Sequence, residues 1–228
     1  MPVGAQQSIS IADFLRSIGK AKEVIGVEPN PDMRKVALEK SEPNEKGTDI
    51  RYVDGHSADT TLTQNTADIV CCSQSFHWME PNSTLSEVNR ILKTGGLIAP
   101  IDCDWPPVIN PQAEQAYRNT IAKIKSLERN QNRPQPIQRW SKDKHLVNIQ
   151  SCGYFKYVRE ICMHRMETGT ADRLVGLLLS QGGVEFLLKA GITEEELGIT
   201  EFRALCREIP GDSPKPWYFS YRVRIGVK

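Results

Sequence analysis

The stretch V-I-G-V-E-P-N at residues 24–30 carries the strongest indication of the fold. Its first four residues form a short run rich in β-branched side chains, which favours a strand, and Pro29 ends that run. Pro31 then stands where the first turn of a helix tolerates proline, and an apolar pattern at helical spacing continues through M-R-K-V-A-L-E-K. The sequence therefore predicts a strand that ends at the acidic residue Glu28 and is followed by a helix.

The same alternation continues on both sides of this stretch. Upstream, residues 8–21 place apolar side chains at helical spacing behind a capping serine. Downstream, the sequence predicts strands at 50–53, 67–74 and 97–102, and the strand at 67–74 is apolar enough to be buried on both faces. Between the last two strands it predicts a helix that begins with the capping-box pattern T-L-S-E at 84–87 and ends at K-T-G-G, residues 93–96. This order predicts an α/β fold, with a Rossmann-like, mostly parallel sheet covered by helices on both faces.

The second half of the chain has a different pattern. A helix is predicted over 111–128, a strand over 154–167, two apolar helices within 172–191, and one amphipathic helix over 194–209. The terminal segment W-Y-F-S-Y-R-V-R-I-G-V-K alternates apolar and polar residues, which predicts a strand that joins the sheet antiparallel. We interpret residues 1–228 as one domain, with a cofactor-binding half at 8–105 and a substrate-side half of helices and strands at 106–228.

Composition narrows the class of protein. The chain has 228 residues, of which 39% are hydrophobic and 25% charged, and its formal net charge is +1. This composition is typical of a globular domain. The small net charge gives no strong electrostatic attraction to nucleic acid or to a membrane surface, and no apolar stretch is long enough to span a bilayer. The six cysteines include no C-x-x-C pair, so we interpret them as free structural thiols, assign no metal ligand, and expect a cytoplasmic protein.

Three short segments carry residues suited to ligand chemistry. Glu28 follows a strand, and a carboxylate at that position can accept hydrogen bonds from both hydroxyls of a ribose. The segment D-G-H-S-A-D at 54–59 is a small polar turn whose backbone can approach an adenine ring. The segment S-Q-S-F-H-W at 73–78 follows an apolar strand and ends in an aromatic face that could cover a sulfonium cation.

In this order and spacing, together with E-V-N-R-I-L-K-x-G-G at 87–96, these segments resemble the class I S-adenosylmethionine-dependent methyltransferases. More narrowly, they are similar to the type 11 group and its small-molecule branch of trans-aconitate methyltransferase-like proteins. The resemblance implies a small-molecule substrate and S-adenosylmethionine as cofactor. It also implies which residues bind the cofactor, and these are Glu28, Asn30, Met33, Ser57, Ala58, Asp59, Gln74 and Ser75. Near the substrate entrance it implies His77 and Trp78, with His77 as the candidate catalytic base.

One part of the family pattern is absent from the sequence. Family members begin with a strand that ends in a glycine-rich loop, whereas only residues 1–7, with Gly4, precede the first predicted helix here. We therefore expect the first strand and the glycine-rich loop to be missing. On that expectation the binding of S-adenosylmethionine by this chain is weak or absent, because the loss of two or three hydrogen bonds weakens binding roughly 30-fold to 2,000-fold.

The sequence leaves two further hypotheses open. A non-catalytic methyltransferase-like binding protein would explain the absent loop, and a nicotinamide-dependent oxidoreductase could also use Glu28, although it would need a G-x-G-x-x-G segment that this sequence lacks. For a methyltransferase, a carboxylate acceptor needs no base, whereas a hydroxyl or amine would need one, and His77 is the candidate. The basic residues of 129–144, including Arg139 and Lys142, could steer an acidic substrate, but a solvated face is the expectation we prefer.

Overall fold

The computed structural model describes residues 21–40, 49–130, 138–209, 211 and 213–228. The helix predicted over 8–21 lies outside this part of the chain except for its last residue, and Gly4 lies outside it as well. Predictions about those residues therefore stay predictions.

The described elements alternate as the sequence predicts in the first half. In chain order they begin with β1 (Glu23–Val27), α1 (Pro31–Lys40), β2 (Asp49–Val53), β3 (Ala67–Ser73), α2 (Pro81–Ile91) and β4 (Leu92–Cys103). They continue with α3 (Pro111–Asn130), α4 (His145–Ser151), β5 (Tyr157–Gly169), α5 (Ala171–Leu179), α6 (Gly182–Lys189), α7 (Glu194–Leu197), α8 (Ile199–Glu208) and β6 (Lys215–Val227). Short 3₁₀ turns lie at Phe76–Trp78 and Lys142–Lys144. The α/β class is confirmed.

The strands form one parallel pair and one mixed sheet. Strands β1 and β2 are parallel, with Gly26 opposite Tyr52. A side chain at Gly26 would collide with the Tyr52 ring, so the close packing of this pair requires glycine. The second sheet has the order β3-β4-β6-β5, and β3 and β4 are parallel.

The C-terminal strand β6 pairs antiparallel with β4, as the sequence predicts. The amide of Lys228 donates to the carbonyl of Gly96 (3.0 Å), and the amide of Asp104 donates to the carbonyl of Ser220 (2.8 Å). As the residue number rises along β4, the number of its bonding partner in the C-terminal segment falls, and this is the order of an antiparallel pair. A mostly parallel fold with an antiparallel last strand is therefore confirmed.

The chain divides into two compact units. Unit 1 takes the described residues up to Asp102 with 138–161 and 223–228, and unit 2 takes 103–130 with the described residues of 162–222. The apolar core of unit 1 centres on residues of β3, α2, β4 and α4 and includes Phe76, Leu85, Val88, Leu92, Ile98 and Ile149. Unit 2 has its own core, built mainly from helices α3, α5, α6 and α8 around Trp217 and Phe219. The interpretation as a single domain stays a prediction.

Both predicted ends of helix α2 are wrong. The helix begins at Pro81 rather than at Thr84, because the carboxylate of Glu80 accepts bonds from the amides of Asn82 (3.0 Å) and Ser83 (2.7 Å) and caps it earlier. It ends at Ile91 rather than at the K-T-G-G segment. The amides of Asn65 and Thr66 donate to the carbonyls of Arg90 and Ile91, so a loop satisfies the last turn and leaves no need for a glycine cap.

Two further expectations differ from the structure. Strand β3 is not buried on both faces, since Ile69 is 57% exposed and Cys71 is exposed on the same face. The single amphipathic helix expected over 194–209 is divided into α7 and α8 by Gly198, whose φ of 77° breaks the helix. None of the helices in the described ranges is both long and apolar enough to cross a membrane.

Candidate functional site

Glu28 lies at the carboxyl end of β1, where the sequence places it. Its amide donates to the carbonyl of Val53 at the end of β2 (3.1 Å), and its Oε1 accepts a bond from the amide of Asn30 (3.0 Å). This bond fixes the carboxylate at the edge of the parallel pair. Asn30 has a local role as well, because its Oδ1 accepts bonds from the amides of Asp32 (2.9 Å) and Met33 (3.2 Å) at the start of α1.

The polar turn after β2 is held on both sides. Arg34 donates to the carbonyl of Glu28 (2.5 Å) and forms an ion pair with Asp54 (2.9 Å). At the other end, the amide and hydroxyl of Thr60 donate to Oε1 of the buried Glu87 (2.8 and 2.5 Å). The Arg90 guanidinium beside it, together with these bonds, lowers the pKa of Glu87 to about 2.

Between these anchors the residues predicted to meet an adenine ring lie near the surface. Ser57 is half-buried, and Ala58 and Asp59 are exposed. The amides of His56 and Asp59 exchange bonds with each other's carbonyls (2.7 and 3.0 Å), and Asp59 Oδ1 accepts from the amide of Thr61 (3.1 Å). The turn is thus ordered by its own backbone and leaves its small side chains accessible.

A second group of predicted residues follows β3. Gln74 is buried in a left-handed backbone conformation (φ 48°), and its amide donates to the carbonyl of Ile101 (2.8 Å). The next residues form the 3₁₀ turn Phe76–Trp78. Trp78 is 38% exposed, and the Arg139 guanidinium lies over its ring at 4.2 Å, a cation–π contact.

Asp102, at the end of the apolar strand β4, is the centre of a buried polar cluster. Only 1% of it is exposed, and Arg224 Nη1 donates to its Oδ2 at 2.6 Å. His145 Nδ1 lies 3.0 Å from the same oxygen, and Lys142 Nζ forms an ion pair with Oδ1 at 3.1 Å. Burial alone would raise the pKa of Asp102, but the bond from His145 and the charge of Lys142 outweigh it and hold that pKa at about 2.

Lys142 joins this cluster to the second group of predicted residues. Its ammonium donates to Gln74 Oε1 at 2.7 Å. The expectation of a solvated basic face is therefore wrong for Lys142, which contacts a buried carboxylate, whereas Arg139 is exposed as expected and also stacks on Trp78.

His77 lies beside the Asp102 cluster but is not bonded to it. Its Nδ1 is 3.9 Å from Asp102 Oδ1, beyond hydrogen-bond distance, and this buried nitrogen has no partner among the described residues. Burial first, and then the charge of Lys142, lower the pKa of His77 to about 4. The imidazole is therefore neutral near pH 7 and is a weaker base than an ordinary histidine.

The structure thus brings the predicted residues together in two sets. Glu28 and the 57–59 turn share the edge of β1 and β2, and Gln74, Ser75, His77 and Trp78 follow β3. Sequence reasoning missed Asp102, His145 and Arg224. An aspartate at the end of an apolar strand was a usable signal, the same one that identified Glu28, whereas nothing in the pattern around Arg224 distinguishes it from the neighbouring polar positions. No group of metal-binding side chains occurs within the described ranges.

The family model and the relatives that the chain matches are all described as methyltransferases. Residues 3–99 match the family model described as a methyltransferase domain. An uncharacterized methyltransferase of Schizosaccharomyces pombe is 36% identical over 78 residues, which cover 34% of this chain and 29% of that relative. A Saccharomyces cerevisiae protein that carries the name S-adenosylmethionine-dependent methyltransferase is 29% identical over 118 residues, which cover 44% of this chain and 40% of that relative. The chain therefore spans less than half the length of these relatives.

Solved structures support the same fold. A structure described as a type II methyltransferase from Anaeromyxobacter dehalogenans has a TM-score of 0.64 at 15% identity and covers 99% of this chain and 87% of its own. A methyltransferase structure from Bacillus halodurans has a TM-score of 0.54 at 20% identity, with coverage of 99% and 88%. At these identities the likeness is one of fold.

Proposed function

We propose, on the premise that the chain belongs to the class I S-adenosylmethionine-dependent methyltransferase family, that it transfers a methyl group to a small-molecule acceptor that carries a carboxylate. S-adenosylmethionine is the cofactor of this family and supplies, when bound, a methyl group activated on a sulfonium. The observation on which the proposal rests most heavily is the carboxylate of Glu28, fixed by the Asn30 amide at the carboxyl edge of β1 and next to the ordered 54–60 turn.

The residues present fit the two ends of this cofactor. Glu28 has a second carboxylate oxygen that can accept from a ribose hydroxyl, and the exposed Ala58 and Asp59 leave room for an adenine ring. Ser57, Asn30 and Met33 would border the adenosine. Gln74 Nε2 is a buried donor with no partner among the described residues, so it suits the carboxylate of the methionine portion, beside Ser75.

The preference for a carboxylate acceptor follows from charge. Arg139 and Lys142 both contact the segment that follows β3, Arg139 over Trp78 and Lys142 against Gln74. Both are cations, and Lys142 remains 29% exposed, so they can attract and orient an anion. A carboxylate oxygen is already a nucleophile and needs no base. The residues of the chain then contribute orientation and exclusion of water.

For an acceptor with a hydroxyl, the proposal gives His77 the role of base. Its imidazole is neutral near pH 7 and can take the proton that leaves the hydroxyl as the oxygen is methylated, and burial makes it a weaker base than an exposed histidine. This role separates the two acceptor classes, because replacement of His77 should affect one class and not the other.

Methyl-transfer assays with the purified chain test the proposal. The chain is incubated with S-adenosylmethionine and a panel of small carboxylic acids, their esters and the matching alcohols, and methylated products are identified by mass spectrometry. We expect methyl esters from the acids, in a reaction that His77→Gln leaves intact, and slower methylation of alcohols that His77→Gln abolishes. Methylation of none of these molecules would contradict the proposal.

A further inference from the structure

Lys142 makes two contacts that connect a buried carboxylate to a predicted cofactor-binding side chain. Its Nζ lies 2.7 Å from Gln74 Oε1 and 3.1 Å from Asp102 Oδ1. Asp102 is anchored independently, because Arg224 and His145 contact its other oxygen. The ammonium is therefore held by a carboxylate that has other partners of its own, and it donates one hydrogen bond to Gln74.

The contact with Lys142 determines which way the Gln74 amide points. An ammonium has only donors, so the atom of Gln74 that it contacts must be the carbonyl oxygen rather than the nitrogen. The amide group is planar, and fixing its oxygen also fixes the direction of Nε2. That nitrogen is buried and has no partner among the described residues, so it is a donor that an external acceptor atom would satisfy.

The backbone of Gln74 gives a second sign that its side chain is held in place. Gln74 has a φ of 48°, a left-handed conformation that costs energy for a residue other than glycine. Its amide bond to the carbonyl of Ile101 (2.8 Å) maintains that conformation at the end of β3. The main chain and the side chain of Gln74 are thus restrained separately.

We propose that Lys142 is a positioning residue: anchored by Asp102, it holds the carbonyl oxygen of Gln74 and so directs the Gln74 amide nitrogen toward a carboxylate of the bound ligand. This inference rests on the proposed function, since the ligand is taken to be S-adenosylmethionine or its product S-adenosylhomocysteine. It differs from a purely structural ion pair, in which Lys142 would only balance the charge of Asp102.

The positioning itself is tested without any ligand. In ¹H–¹⁵N spectra of the chain, the side-chain amide signal of Gln74 is identified as the one lost in Gln74→Leu. We expect Lys142→Met to move this signal to the position of a solvated glutamine, Lys142→Arg to keep it dispersed, and the neighbouring exposed Lys144→Met to leave it unchanged. A signal that does not respond to Lys142→Met would overturn the inference.

The effect on binding is tested by titration with S-adenosylhomocysteine. We expect Lys142→Met and Gln74→Leu each to weaken binding about ten-fold, and the double variant to weaken it no further, because both remove the same directed bond. Gln74→Glu keeps an oxygen for Lys142 but lacks the amide donor, so it should lose affinity although it folds. Additive losses in the double variant, or full affinity in Gln74→Glu, would overturn the inference. Absence of binding by the wild-type chain would instead contradict the proposed function, while the ligand-free spectra still decide the inference.

Discussion

The edge of strands β1 and β2 and the cluster around Asp102 are built in opposite ways. At the first, Glu28 and the 57–59 turn lie near the surface, and the bonds to the Glu28 carboxylate and within the turn come from residues two or three positions away, such as that from Asn30. At the second, Asp102 is almost fully buried and its partners come from 43 and 122 residues further along the chain. The first region leaves polar groups accessible, whereas in the second region most polar groups bond one another.

This difference indicates that the first region serves ligand binding and the second serves folding. Local ordering with free polar atoms suits a surface that meets a ligand, because little must be displaced when the ligand binds. A buried cluster of paired charges contributes little net stability over an apolar core, but removal of one member leaves other charges buried without compensation. We therefore expect changes at Asp102 to act mainly on folding and changes at Glu28 mainly on binding.

Replacement of Asp102 should have the largest effect. Asp102→Asn removes the carboxylate that Arg224 and His145 share inside the fold. Arg224 keeps its ion pair with Glu160, so we expect the free energy of unfolding, measured by urea denaturation, to fall by about 3 kcal/mol, the lower end of the range for a broken buried pair. Asp68→Asn is the matched control, since its ion pair with Lys93 lies at the surface and should contribute less than about 1 kcal/mol. Equal losses in the two variants would remove the distinction between the regions.

Replacement of Glu28 should act on binding instead. Glu28→Gln removes the charged acceptor, and we expect it to cost about 1.5–3 kcal/mol of S-adenosylhomocysteine binding, a loss of roughly 10-fold to 150-fold. The melting temperature should stay close to that of the wild type. Glu23→Gln, at the opposite end of the same strand, is the control and should bind normally. Unchanged affinity in Glu28→Gln measured by calorimetry would refute its role.

The pH dependence of stability tests the environment of His77. Its pKa in the folded chain is about 4, below the ordinary value of 6.5, so the unfolded chain binds a proton that the folded chain does not. His77 therefore destabilises the fold as the pH falls from about 6.5 to about 4 and has no such effect at pH 7. We expect His77→Gln to reduce this acid-side loss by about 1–2 kcal/mol in denaturation curves. Identical pH profiles for wild type and His77→Gln would contradict the buried environment.

The smallest effect is expected where the exposed turn meets a buried acceptor. Thr60→Val removes the hydroxyl bond to Glu87 but keeps the bond from the Thr60 amide, so we expect a loss of about 0.5–1.5 kcal/mol in stability. Thr63→Val, at an exposed position nearby, should be neutral in the same denaturation assay. A loss above that of Asp102→Asn would mean that the turn, rather than the buried cluster, maintains the fold.

The sequence predicted those features that depend on neighbours in the chain. The strands and Glu28 follow from apolar runs and the residues that end them, and the structure has strands at each predicted place. The predicted ends of α2 were wrong because Glu80 bonds the free amides of the first turn and the loop at 65–66 bonds the free carbonyls of the last turn. Neither partner lies within the predicted helix. The partners of Asp102 could not be predicted, since the sheet brings Arg224 and His145 to it from distant parts of the sequence.

The most direct test of the central claim is calorimetric titration of the wild-type chain with S-adenosylhomocysteine and, in parallel, with a nicotinamide dinucleotide. Ligand concentrations should extend into the millimolar range, so that weak binding is also detected. The proposed function predicts one saturable site for S-adenosylhomocysteine that Glu28→Gln weakens, and no binding of the nicotinamide dinucleotide. Binding of the dinucleotide, or no binding of S-adenosylhomocysteine, would contradict it.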